Sequence, residues 1–310
     1  MQATSRWCGR RVEVMKWHGY INDRVGLTAG VMLCASAVCA AQGGAPAGGA
    51  AGGAAAASSM SRNIARDTSP LNPENSLELI KPVDKSEETA FRDFQHVSPE
   101  DMAKKIDLGE KFLKKYPKSN YRAIVYSGLT SAYLMTNQVQ KMQESGEMAL
   151  ALNPKDVLVL AMLGQTLPRV ITASTPEPQK QLEKAEKYAR DAIEQIPLVP
   201  KPANTSDQEF TQAKNQTLAI AHSGLGLVDF RRGDFAGAIS ELDQSVQLDP
   251  RGDVTNYYVL GVANYNTKHY EDAVKAFDKC AGFSGNLQST CKENGEKAKS
   301  LITGPQGVPK

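Results

Sequence analysis

One stretch constrains the fold of this chain more than any other: Ala219–Gly252, AIAHSGLGLVDFRRGDFAGAISELDQSVQLDPRG. It reads as two short helices joined by a tight turn at Arg232-Gly233-Asp234 and closed by Leu-Asp-Pro. Antiparallel helices approach closely only where side chains are small, so Gly226 is expected to face Ala238. Leu225, Phe235, Leu242 and Val246 fill the remaining contact. Pro250 cannot continue the second helix and resets the chain for the next unit.

The pattern recurs. Ala123–Asp156 places Tyr126, Leu129 and Tyr133 before a turn at Asn137, then Ala149, Leu150 and Pro154. It departs where Thr130 and Met142 replace small residues. Val254 to about Gly285 supplies Tyr257, Leu260, Gly261, Tyr270, Ala273 and Phe277. A further copy is split: Val157–Arg169 and Gln179–Pro197 flank an insertion rich in Ser, Thr and Pro. Pro at 154, 197 and 250 with Gly at 164, 226 and 261 is a single register, not a chance heptad pattern. The stretch resembles the tetratricopeptide repeat, a helix-turn-helix unit with a 34-residue period. The resemblance spans roughly Glu87–Ile302 and implies an all-α, right-handed α-solenoid of about four such repeats.

The flanks differ from this body. Residues 1–41 hold five basic and two acidic side chains, so of the chain's formal +2 they supply +3 and the rest carries −1. A near-neutral body lacks the basic face that nucleic acid requires. Val25–Ala41 is apolar and rich in small residues, basic residues precede it, and Val38-Cys39-Ala40 offers a small-x-small cleavage site. This predicts a secretory signal peptide over 1–41, with Met15 as an alternative start. An uncleaved leader is the one expected route to a membrane. Neither Cys34 after Leu33 nor Cys39 after Val38 suits lipid attachment. The predicted compartment is therefore the bacterial periplasm or cell envelope. Of five cysteines, Cys280 and Cys291 lie outside the leader. An oxidising compartment allows a disulfide between them, with two buried thiols as the alternative.

Residues 42–84 open with a Gly/Ala-rich run and continue with Pro70, Pro73 and Pro82, the composition of a flexible tether. Order is expected from Glu87–Gln95. Ser98-Pro99-Glu100-Asp101 predicts a helix start with Ser98 as N-cap, running to about Tyr116. Ser206-Asp207-Gln208-Glu209 has capping-box spacing, so the first helix of the central unit is predicted to run from near Asp207 to about Arg232, its N-terminal half projecting beyond the stack. A polar helix over Leu287–Ile302 is expected to cap the solenoid, and residues 303–310 form a tail.

Catalytic signals are missing. His96, His222 and His269 are dispersed, and His222 reads as a core or half-core residue. No metal-ligand spacing, phosphate loop, dinucleotide fingerprint or Gly-x-Ser-x-Gly elbow is present, so no cofactor and no metal are expected. Gly224-Leu225-Gly226 reads as a packing pair on a helix.

The resemblance implies that the first helix of each unit lines a concave face that takes peptides or protein segments. The inward positions are then Ile124, Ser127, Ser131, Leu134 and Met135 in one unit. They are Ile220, Ser223, Leu227, Phe230 and Arg231 in the central unit, and Thr255, Tyr258, Val262, Tyr265 and Asn266 in the last. The Lys/Asn set by which some members grip a peptide C-terminus is not matched. The remaining candidate is a groove formed by Phe230, Tyr258, Val262 and Tyr265, with Arg231 and Asn266 as polar handles. Packing of those rings against neighbouring helices is the competing expectation. The reading is a non-catalytic, exported protein-interaction scaffold. A structural subunit of an outer-membrane or envelope assembly is the second reading. A small-molecule-binding periplasmic protein, with a pocket under the 170–183 and 198–206 insertions, is the third.

Overall fold

A computed structural model describes residues 69–71, 84–172 and 174–303. Eleven α-helices and one 3-10 turn make up the regular structure among these residues, with no strand. They are α1 (Lys85–Gln95), α2 (Met102–Lys115), α3 (Arg122–Met135), α4 (Val139–Leu152), α5 (Val157–Val170), α6 (Pro178–Gln195) followed by the 3-10 turn Ile196–Leu198, α7 (Asp207–Arg232), α8 (Phe235–Leu248), α9 (Val254–Asn266), α10 (Tyr270–Ala281) and α11 (Gln288–Thr303). Consecutive helices pack as hairpins, α3 on α4, α5 on α6, α7 on α8 and α9 on α10, with α11 laid on α10 at the C-terminal end. The result is an all-helical stack of the kind the repeat pattern predicts.

The register is visible in the backbone. Asn137 (φ 57°), Gly233 (φ 81°) and Lys268 (φ 66°) adopt left-handed conformations at the three short hairpin turns, each fourteen residues after the start of its unit. The next backbone N–H reaches back in the same way each time: Gln138 to the Tyr133 carbonyl (2.8 Å), Asp234 to Asp229 (2.9 Å) and His269 to Asn264 (2.9 Å). These bonds satisfy carbonyls that a helix end leaves open. The α5–α6 hairpin lacks this turn because of its insertion. There Thr172 and Thr175 close a local turn, the Thr172 amide donating to Thr175 Oγ1 at 2.8 Å.

Small residues let the helices meet. A Cβ added to Gly226 would lie 2.6 Å from Leu242 Cγ and 3.3 Å from the Ala238 carbonyl oxygen, so the predicted close approach is present. Gly224 goes further, for its Cβ would lie 2.8 Å from the backbone carbonyl carbon of Gly164 on α5. Two first helices thus touch backbone to backbone. Thr130 and Met142, which depart from the small-residue pattern, are both buried in the α3–α4 hairpin.

Helix α2 departs from its expected start. It begins at Met102 with Asp101 as N-cap, whose Oδ1 accepts from the Lys104 amide at 3.0 Å. Ser98 does not cap it, because its hydroxyl is engaged by the Glu100 carboxylate in the turn before the helix. Within the stretch expected to be a tether, Leu71 is buried as part of the N-terminal core. Its apolar side chain gains more from that cluster than from water. The predicted signal peptide, the Gly/Ala-rich run and residues 304–310 lie outside the described residues.

Helix α7 runs 26 residues with both halves of the predicted capping box in place: Ser206 Oγ accepts from the Glu209 amide, and the Glu209 carboxylate accepts from the Ser206 amide at 3.1 Å. Its first turns do not project freely. Phe210 and Ala213 pack against the N-terminal core, Lys214 donates to the Pro197 carbonyl at 3.1 Å, and Lys201 pairs with Asp207 at 2.5 Å. The core is correspondingly split. One cluster gathers α1 to α6 and reaches Ala221 of α7, a second begins at Leu227 of α7 and runs to Ala298 of α11, and a smaller third joins Leu167 of α5 and Leu182 and Ala185 of α6 to Val228 of α7.

Candidate partner-binding surface

The face assigned from the repeat register divides into buried and reachable residues. Phe230 (2% exposed), Tyr258 (1%) and Val262 (5%) belong to the C-terminal core. Phe230 meets the edge of Phe235 at 5.5 Å, and Tyr258 packs on Phe277 of α10 at 6.2 Å. These rings therefore line no open groove in this structure. The close α7–α8 and α9–α10 hairpins draw them inward. Arg231, Tyr265 and Asn266 stay half-buried at the C-terminal ends of α7 and α9. Tyr265 meets the edge of Tyr270 at 5.5 Å, Asn266 Nδ2 donates to the Val262 carbonyl at 2.8 Å, and the Arg231 guanidinium donates to the Arg169 carbonyl at 3.4 Å.

A buried polar seam crosses the first helices, and reasoning within single units misses it. Gln165 Nε2 on α5 donates to Ser223 Oγ on α7 (2.8 Å), which donates to Asn256 Oδ1 on α9 (2.6 Å). Asn256 Nδ2 donates to Ser245 Oγ on α8 (3.0 Å), and Ser245 closes the chain on the Ala219 carbonyl (2.7 Å). Arg169 and Asp253 form an ion pair one turn away, with side chains 17% and 6% exposed. Asp253 also caps α9, accepting from the Thr255 amide at 2.9 Å. Each group looks ordinary within its own unit, and only the superposition of three units brings them together.

Near the α7–α8 turn the charge is negative. Burial, and then the neighbouring carboxylates of Asp234, Glu241 and Glu186, raise Asp229 to about 6, against a smaller opposing effect of Arg232. Glu186 is held below its ordinary range, chiefly by its hydrogen bond with Arg232. His222 is half-buried, as its position predicts, and its Nδ1 lies 2.7 Å from the Glu241 carboxylate. No group of His, Cys, Asp and Glu among the described residues could hold a metal ion. No helix among them is long and apolar enough to cross a membrane.

Cys280 and Cys291 are bonded, with Cα atoms 5.9 Å apart, within the range that a bridge spans. The bond ties α10 to α11. A cleft of about 590 Å³ opens between the first turns of α7 and the Leu248–Arg251 turn. Its walls run over Asp207–Gln216 and the α8–α9 connection, and no residue of the 170–183 or 198–206 insertion lines it.

Stacked helical hairpins with a shared turn geometry define a helical-repeat protein, a class whose members present extended faces to other proteins. The family model described as Tetratricopeptide repeat matches residues 254–286, the α9–α10 hairpin and the loop after it. The α9–α10 hairpin thus matches a tetratricopeptide repeat, and such repeats generally bind proteins or peptides. No curated protein matches the sequence. Among solved structures, the crystal structure of BtubC (BKLC) from P. vanneervenii is similar over 83% of this chain and 94% of that one, at 16% identity and a TM-score of 0.38.

Proposed function

We propose that the protein is a non-catalytic scaffold, exported to the periplasm or cell envelope, that holds a segment of another protein. The observation that carries this reading is the repeat stack itself, with the polar and aromatic groups Arg231, Tyr265 and Asn266 half-buried at the ends of adjacent first helices. Aromatic and Arg side chains in such settings are the usual anchors of protein recognition. Export is supported by the leader's composition and by the Cys280–Cys291 bridge, since structural disulfides persist in oxidising compartments.

The test is a cross-linked pull-down with the tagged chain from an envelope fraction, run beside an Arg231→Ala/Tyr265→Ala variant. The expected result is a protein captured by the wild type and lost by the variant, at an unchanged melting temperature. Equal capture by both chains would move the binding face elsewhere. Recovery of the protein in the cytosolic fraction with reduced cysteines would overturn the export reading.

A further inference from the structure

We infer that α11 is a disulfide-held lid: the Cys280–Cys291 bond, rather than side-chain packing, keeps it on α10, and a dithiol reductant releases it and uncovers an apolar edge of the last hairpin. The buried residues of α11 are Cys291, Asn294, Gly295 and Ala298, all small or polar. Its two large apolar side chains, Leu301 and Ile302, are 46% and 42% exposed. Burial of small side chains removes little apolar area from water. Helix α8 packs on both α7 and α9, whereas α11 packs chiefly on α10. Its polar links across that contact are few. Gln288 Nε2 donates to the Ala281 carbonyl at 3.0 Å, and Lys299 pairs with Asp278 at 3.6 Å in an exposed setting. Exposed ion pairs add little to stability. A polar 16-residue helix is marginal on its own in water.

The bond is placed to compensate. It joins cysteines 11 residues apart, both 0% exposed within the C-terminal core. Closing such a loop removes conformations from the released state and so favours the seated one. Phe283 and Leu287, half-buried against the core, lie inside that loop and hold it, not the helix beyond it. Gly295 seats against Phe277, where an added Cβ would lie 3.5 Å from Phe277 Cβ. Release of α11 therefore uncovers the outer side of Phe277 together with the Cys280 thiol. The release is a two-electron exchange. One thiolate of the reductant attacks a sulfur of the bridge, which forms a mixed disulfide and expels the other cysteine as a thiolate. The second thiol of the reductant then closes its own disulfide and frees the remaining cysteine. The protein gains two electrons and two protons, and the dithiol loses them. The lid is separate from the Arg231 and Tyr265 surface and does not depend on it.

The probe is dithiothreitol, applied to the folded full chain, which is then desalted without air. The reduced chain is treated with iodoacetamide and, in parallel, followed by amide hydrogen exchange. Both thiols are expected to alkylate within roughly tenfold of their rate in the urea-unfolded chain. Amides of α11 should exchange on the order of a hundredfold faster than in the oxidised chain, and those of α3 to α8 at an unchanged rate. Cys280→Ala/Cys291→Ala, which never forms the bond, should show the same fast exchange confined to α11. If that variant unfolds, the reduced wild type carries the comparison alone. Three results would each overturn the inference. Thiols closed to iodoacetamide after reduction, with slow exchange in α11, would mean that packing seats the helix. Faster exchange throughout α3 to α8 would mean that the bond holds the whole fold. A bond that dithiothreitol leaves intact in the folded chain would rule out release by a dithiol.

Discussion

Asp229 sits in surroundings that oppose its charge. Burial and three neighbouring carboxylates hold it at about 6, above the ordinary aspartate value of about 3.9. Between about pH 4 and 6 the folded chain therefore keeps a proton that the unfolded chain has lost, and stability falls as pH rises through that window. Above this window the penalty is constant. Asp229→Asn is expected to melt higher than the wild type at about pH 7.5, the difference closing as the pH drops to about 4. Thermal melts at several pH values across that range would show it. A second single-residue prediction concerns the left-handed turns. Lys268 occupies at φ 66° the position that Gly233 fills at φ 81° in the central unit. A side chain there strains the backbone, and glycine relieves this at some entropic cost, so Lys268→Gly should stabilise by about 0.5–1 kcal/mol in denaturant titrations. Gly233 announced its turn in the sequence. Lys268 did not, because only the register, not the residue type, marks it.

The elements were legible where local chemistry and the long-range pattern agreed. Ser206 with Glu209 and Gly233 at the far end marked α7 at both termini, and Pro154 and Pro250 marked where hairpins end. Local chemistry misled at Ser98, where Asp101 and Glu100 offered rival hydrogen bonds within three residues. The binding face was less legible. Register places Tyr258 on the first-helix side of its unit, but how far a neighbouring helix covers it depends on crossing distances that glycines set. Gly224 against Gly164 is a crossing of backbone on backbone. Gly224→Ala is expected to force α5 and α7 apart and cost roughly 1–3 kcal/mol, as overpacking does. The opposing Gly164 atoms are main chain and cannot swing aside. Gly224→Ala should therefore be less tolerated than Gly226→Ala, where the Leu242 side chain can adjust. Parallel urea titrations would rank the two.

Across the whole molecule, the Gln165–Ser223–Asn256–Ser245 seam links three hairpins whose sequences never announce the connection. Asn256→Ala would strip a buried partner from both serines, at about 1–3 kcal/mol. Such a loss should also uncouple the halves. Unfolding monitored by a probe in α3 and a probe in α10 is expected to coincide in the wild type and to separate in the variant. The three core clusters meet on one helix, and this gives α7 a mechanical character. It is a rod about 39 Å long, packed on the N-terminal cluster as far as Ala221, on α5 and α6 again through Val228, and on the C-terminal cluster through Leu227 and Phe230. A load on its leading turns is carried as torque to the far end rather than absorbed in a loop. The stiffness of one helix therefore sets how closely the N-terminal and C-terminal hairpins keep their relative orientation.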